Sequence, residues 1–198
     1  MKAVYWFYIY PKGFGPNLGT GAMGDTTFQD NYSKLNAAIG QVLSFYNSKA
    51  GVQLQQTDLV ILPSSSTLAE WKTNLGDCLR KDLSPWKSSL DAICVVFAQG
   101  MGGFAGGYIG MPTVSDYCID AICGRYQAQL FQDTPAARLA TAENQTASLA
   151  HELGHNFFGQ GHVEAPLTNI MGNGIWNPGG LDTATLNQEQ ITTLRAWA

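Results

Sequence analysis

His151, Glu152, His155 and His162 stand in the stretch "HELGHNFFGQGH", positions 151 to 162, and all three histidines of the chain lie inside it. His151 and His155 are four apart, which on a helix places them on one face, one turn above the other. Two imidazoles so placed can share one ion. Glu152, rotated roughly 100 degrees around the axis, can reach a water on that ion without becoming a ligand. A helix continued to His162 would carry its Cα about 16 Å from that of His151. Two histidines meeting on one zinc, with Zn–N near 2.0 Å, span only about 13 Å. The chain must therefore turn after His155, and Gly159 and Gly161 supply residues able to take the left-handed conformation that ends a helix.

Three neutral imidazoles leave the fourth tetrahedral position to water, the arrangement of a catalytic zinc and not of a closed structural one. Zinc lowers the pKa of that water and polarises a carbonyl, while Glu152 takes the proton and passes it to the leaving amine. The reaction implied is amide hydrolysis without a covalent intermediate. A lone histidine on a helix is ordinarily a surface or core residue. Three of them within this stretch, with a glutamate and a glycine break, read as a metal site.

The elements that must position this stretch follow from periodicity. "AVYWFYIY" at 3 to 10 is aromatic and β-branched and reads as a buried first strand closed by Pro11. From Asp25 as N-cap, Phe28, Tyr32, Leu35, Ile39, Val42, Leu43 and Tyr46 recur at steps of three and four. They predict a long amphipathic helix ended by Gly51. "VQLQQTDLVILP" predicts a second strand, "TLAEWKTNLGDCLRK" a short helix and "AICVVFA" a third strand, an order that implies an α/β fold with a largely parallel sheet.

"QGMGGFAGGYIGMPTV" is glycine-rich without the GxGxxG register or the lysine of a phosphate loop, and predicts a turn into a short strand near Gly107 to Met111. "GRYQAQLFQ" predicts a further strand. Leu149, Leu153 and Phe157 share helical spacing with the histidines, so a helix starts near Thr141 or Asn144. "LNQEQITTLRAWA" predicts a closing helix with Leu186, Ile191, Leu194 and Trp197 turned inward.

A chain of 198 residues, 45% apolar and 13% charged, fits one folded domain, 1–198. The net charge of -4 is spread without basic runs, which argues against nucleic acid and anionic membrane surfaces as partners. No apolar run approaches the roughly 20 residues that span a bilayer. The N-terminus lacks signal-peptide features, so the chain is either cytoplasmic or a mature form without its leader.

Cys78, Cys94, Cys118 and Cys123 are even in number and fall in two local pairs, which favours disulfides Cys78–Cys94 and Cys118–Cys123 and a secreted, extracellular location. A bridge closing about 15 residues would stabilise by roughly 3 kcal/mol. Four reduced, buried thiols are the other reading. Asn31 and Asn144 open N-x-S/T sequons, glycosylated only on a eukaryotic secretory route.

The histidine stretch resembles the signature of the metzincin clan of zinc endopeptidases, HExxHxxGxxH followed by a methionine-containing turn. His151, Glu152 and His155 match residue for residue, and "LTNIMGNG" resembles the Met-turn, with Met171 as its methionine or, alternatively, an ordinary core residue. The chain departs in having three residues before Gly159 where the signature has two, so Phe158 reads as an insertion and His162 falls one place late. The match covers positions 151 to 172.

By this resemblance His151, His155 and His162 would ligate one Zn2+, Glu152 would be the general base and Met171 the floor of the site. The resemblance implies a twisted, mostly parallel sheet with an antiparallel edge strand and two long helices in an upper lobe to about residue 159. A small irregular lower lobe, 160–198, would end in a helix. A protein or peptide substrate would lie antiparallel to an edge strand at Gly107, Tyr108, Ile109 and Gly110. Ile175 and Trp176 would wall the pocket beyond the scissile bond, unless Trp176 packs the lower lobe instead. The chain would act as a monomer, and the sequence leaves calcium undecided. Two further readings stay open: an HExxH hydrolase of gluzincin or aspzincin type with Glu189 or Asp182 as third ligand, and a zinc-stabilised binding domain without catalysis.

Overall fold

The computed structural model describes residues 2–18, 21–22, 26–86, 93–99, 107–108, 119–123, 146–147, 149–151, 153–158, 162–164, 166, 168–172 and 180–198. Strand β1 (Lys2–Tyr10) leads through the short pair β2 (Asn17–Leu18) and β3 (Gly21–Ala22) into helix α1 (Thr26–Ala50). Then come β4 (Leu54–Pro63), α2 (Leu68–Leu83), β5 (Ile93–Ala98), β6 (Gly107–Tyr108) and β7 (Ile119–Cys123). Helix α3 is described at residues 146–147, 149–151 and 153–158, and α4 (Gly180–Thr183) and α5 (Gln188–Trp197) close the chain.

The sheet runs β4-β1-β5-β7-β6. β1 pairs in parallel with β4 and β5, β5 pairs in parallel with β7, and β6 pairs antiparallel with β7 at the edge. The fold is therefore α/β, with the largely parallel sheet and the antiparallel edge strand near Gly107 that the sequence implied. β4 and β5 flank β1 on opposite sides, and crossovers of one hand then place α1 and α2 on opposite faces. Burial agrees. Val4, Trp6 and Tyr8 of β1 join the cluster built with α1 and α3, while Phe7 and Ile9 join Trp71, Leu79 and Leu83 of α2. A strand covered on both faces needs the unbroken apolar run that β1 has.

In α1 the residues at steps of three and four, Leu35, Ile39, Val42 and Tyr46, are fully buried, each such burial being worth roughly 1.5–3 kcal/mol. Gly51 ends the helix at φ 68°, which a side chain would resist. Asn47 then clips the exit to β4, its amide exchanging hydrogen bonds with the backbone of Leu54. Asp25, the expected N-cap, lies outside the described residues. Thr67 and Glu70 form a capping box that starts α2. In α5 Leu194 is fully buried, and Leu186, Ile191 and Trp197 pack partly buried against the same core, as expected.

Three expectations need correction or lie out of view. Cys78 is a free thiol, so the Cys78–Cys94 bridge is not made. Helix α2 turns Cys78 into the cluster of Phe7, Ile9, Trp71, Leu79 and Leu83, where it packs as a small apolar side chain. Nearness in sequence does not secure the short Cα separation and Cβ direction that a disulfide needs. Cys118 lies outside the described residues, and with it the Cys118–Cys123 pairing, on which the case for an oxidising compartment now rests alone. The strand expected over "GRYQAQLFQ" also falls outside the described residues, whereas β7 occupies "IDAIC", which periodicity had not singled out. Among the described residues, no helix is long and apolar enough to cross a membrane.

Candidate metal centre

Helix α3 is bound into the core through Ala147, Leu149, Ala150, Leu153 and Phe157, all buried. From α1 the Tyr46 hydroxyl donates to the Ala150 carbonyl, tying the two helices together one residue before His151. This anchorage fixes the rotation of α3 and points His151 and His155, 4% and 7% exposed, at a common place. His162 is exposed and comes to the same place from beyond the helix.

The three side chains offer one ring nitrogen each, and these atoms lie within 4.8 Å of one another. The ring centroids are 4.7, 5.1 and 5.1 Å apart, a nearly equilateral triangle. His151 Nε2 and His162 Nε2 stand 3.2 Å apart. Two nitrogens on one tetrahedral zinc, each at about 2.0 Å, would be separated by about 3.3 Å. The residues present thus fit a borderline-soft divalent ion such as zinc, for which imidazole is a suitable donor.

His151 is oriented from behind. Its Nδ1 lies 2.7 Å from the Ile170 carbonyl, and since a carbonyl only accepts, Nδ1 carries the proton and Nε2 presents its lone pair to the site. Burial pushes the His151 pKa down to about 4, the Ile170 hydrogen bond opposes this, and the neighbouring His155 and His162 add to the lowering. The ring is neutral at pH 7, the form that binds a metal.

The same turn reaches the sequence neighbours of the other two histidines. The Val163 N–H, next to His162, donates to the Met171 carbonyl at 2.8 Å. Met171 is fully buried, and its sulfur lies against Gly154, the residue before His155. Phe158 is helical and packs against Tyr46, ring centroids 6.4 Å apart. The extra residue therefore lengthens α3 and becomes a core contact, and the return to His162 runs through 159–161, outside the described residues.

Glu152, Ile109, Gly110, Ile175 and Trp176 lie outside the described residues. Gly107 and Tyr108 form β6 at the sheet edge. Asp182 and Glu189 are exposed on α4 and α5, and the described metal-capable group contains neither. Sequence reasoning missed the Ile170 carbonyl, the bond from the Tyr46 hydroxyl to Ala150 and the crowding at Gly154. It also missed a buried amide pair, Asn169 with Gln190, although the spacing of Asn187 and Gln190 was a legible helix-start signal.

Neither a protein-family description nor a curated protein matches the chain by sequence. Among solved structures it is similar to a zinc-dependent peptidase from Methanocorpusculum labreanum (strain Z), at 13% identity and a TM-score of 0.45, over 95% of this chain and 99% of that one. It is also similar to a chain in the structure of a chaperone-substrate complex, at 14% identity and a TM-score of 0.48, over 98% of this chain and 34% of that one.

Proposed function

We propose that this chain is a zinc-dependent endopeptidase of metzincin type, a single catalytic domain with His151, His155 and His162 as ligands and Glu152 as general base. The observation that carries the reading is the convergence of three imidazole nitrogens within 4.8 Å, with His151 held in the ligating tautomer by the Ile170 carbonyl. A bound zinc would supply Lewis acidity toward a carbonyl and a water acidic near neutrality. Glu152, next to His151 in the sequence, takes the proton from the attacking water and returns it to the leaving amine. The segment 169–172 serves as the Met-turn, with Met171 as the apolar floor and its backbone carbonyls steering the ligands.

A protein or peptide substrate lies extended along β6, where an antiparallel edge offers backbone hydrogen bonds to a further strand. The part of the chain after Gly159 forms the lower wall of the cleft. That His162 belongs to the described metal-capable group, and Asp182 and Glu189 do not, favours His162 over either carboxylate as third ligand.

The test is digestion of an unfolded protein substrate by the wild type, by Glu152→Ala and by the wild type with a zinc chelator, with zinc content measured alongside. Cleavage is expected from the untreated wild type alone, with zinc retained in Glu152→Ala and activity restored by adding zinc back. Cleavage that survives both controls contradicts the mechanism, and zinc bound without any cleavage points to a binding domain instead.

A further inference from the structure

The turn that holds His151 and contacts the neighbours of His155 and His162 is itself held from the C-terminal helix. Asn169 and Gln190 are buried, 5% and 6% exposed. Asn169 Nδ2 donates to Gln190 Oε1 at 2.9 Å, and Gln190 Nε2 donates to Asn169 Oδ1 at 3.1 Å. Each oxygen accepts a second bond, Asn169 Oδ1 from the Met171 N–H at 2.9 Å and Gln190 Oε1 from the Asn187 N–H at 2.8 Å. The N-cap of α5 and the backbone of Met171 are therefore joined through one reciprocal amide pair. From there Ile170 holds His151 and Met171 holds Val163 beside His162.

We infer that Asn169 and Gln190 are positioning residues of the metal centre, setting through one turn the direction of His151 and the seat of His162. The inference rests on the reading of the histidines as metal ligands. An amide has a donor end and an acceptor end, and because the Met171 and Asn187 N–H groups each need an oxygen, the pair is satisfied in one mutual orientation only. Loss of Gln190 leaves the Asn169 donor and the Asn187 N–H without their partner in a buried place, and the turn relaxes to satisfy them. The Ile170 carbonyl then leaves the line that holds His151. Removing partners that orient metal ligands costs roughly 10–100-fold in metal affinity.

The experiment compares the full chain as wild type, Gln190→Met and Leu79→Ala. Leu79 is fully buried in the cluster on the opposite face of the sheet, so its truncation destabilises without touching the turn. Zinc affinity is read by competition with a chromogenic chelator. Gln190→Met is expected to bind zinc roughly 10–100-fold more weakly, and Leu79→Ala to stay within about twofold of the wild type. In metal-free protein, the His151 Nδ1 proton gives a slowly exchanging NMR resonance in the wild type and Leu79→Ala, and loses it in Gln190→Met.

If Gln190→Met does not fold, Gln190→Asn keeps a buried amide but shortens its arm, and is expected to weaken binding in the same direction. Wild-type affinity and a retained His151 proton in the Gln190 variant overturn the inference, as does an equal loss of affinity in Leu79→Ala. A wild type that binds no zinc overturns the peptidase reading, and the His151 proton comparison still decides this one.

Discussion

The sulfur of Met171 occupies the space that a Cβ on Gly154 would need, and the Tyr46 hydroxyl stands 2.8 Å from the same point. The glycine of "HELGH" is thus a requirement of packing, and Met171 is seated against α3 at Gly154, which lies between His151 and His155 in the sequence. Gly154→Ala is expected to destabilise the fold by about 1–3 kcal/mol, the usual cost of overpacking a core, and to weaken zinc binding because Met171 and the Ile170 carbonyl move together. Met171→Ala in the same chain frees the space, so the double variant should lose less than the sum of the single losses. Urea unfolding of the four proteins measures that coupling, and strict additivity contradicts the contact.

His162→Ala separates the three-histidine site from one completed by a carboxylate. The exposed Asp182 and Glu189 stand outside the histidine group, so neither is placed to replace the lost imidazole. Affinity should fall by more than the roughly 100-fold that marks the loss of an outer partner, while the far-ultraviolet spectrum of the metal-free variant stays that of the wild type. Tight, stoichiometric zinc in His162→Ala sinks the assignment of the third ligand.

The parts of the fold legible in the sequence are those whose signal is local. Leu35, Ile39, Val42 and Tyr46 repeat at helical steps, and Gly51 marks the end of their helix. The two helical histidines carry their geometry in their spacing. β7 escapes periodicity because its run is five residues long, and its closing Cys123 reads in the sequence as half of a disulfide. The Ile170 carbonyl left no trace, since a backbone group has no residue type. Asn169 and Gln190 meet across 21 positions, and only tertiary packing makes a pair of them. The reach of His162 followed from distance alone, whereas the absorption of Phe158 into α3 needed the facing ring of Tyr46.

Cys78 is half-buried and free. Alkylation of native, unreduced protein followed by mass spectrometry should find it modified. Cys78→Ala should cost about 1 kcal/mol or less, the removal of one small buried group, and not the 2–5 kcal/mol typical of losing a native disulfide. A loss in that larger range, abolished in advance by reductant, restores the bridge to Cys94.

Burial holds the His151 pKa down at about 4, against an ordinary value of 6.5. As pH falls, the unfolded chain takes up this proton first and the folded chain resists it. The metal-free protein therefore keeps the full contribution of neutral His151 above about pH 6.5 and loses it progressively toward pH 4. Two and a half pKa units amount to roughly 3 kcal/mol. Urea unfolding of metal-free wild type and His151→Gln at pH 7, 5.5 and 4.5 reads this contribution against the carboxylates remote from the site, which titrate alike in both. The gap in stability between the two proteins should narrow by most of that amount on acidification. A gap that holds constant across the series shows that His151 takes up its proton as readily in the folded chain as in the unfolded one, contrary to its place beneath Ile170.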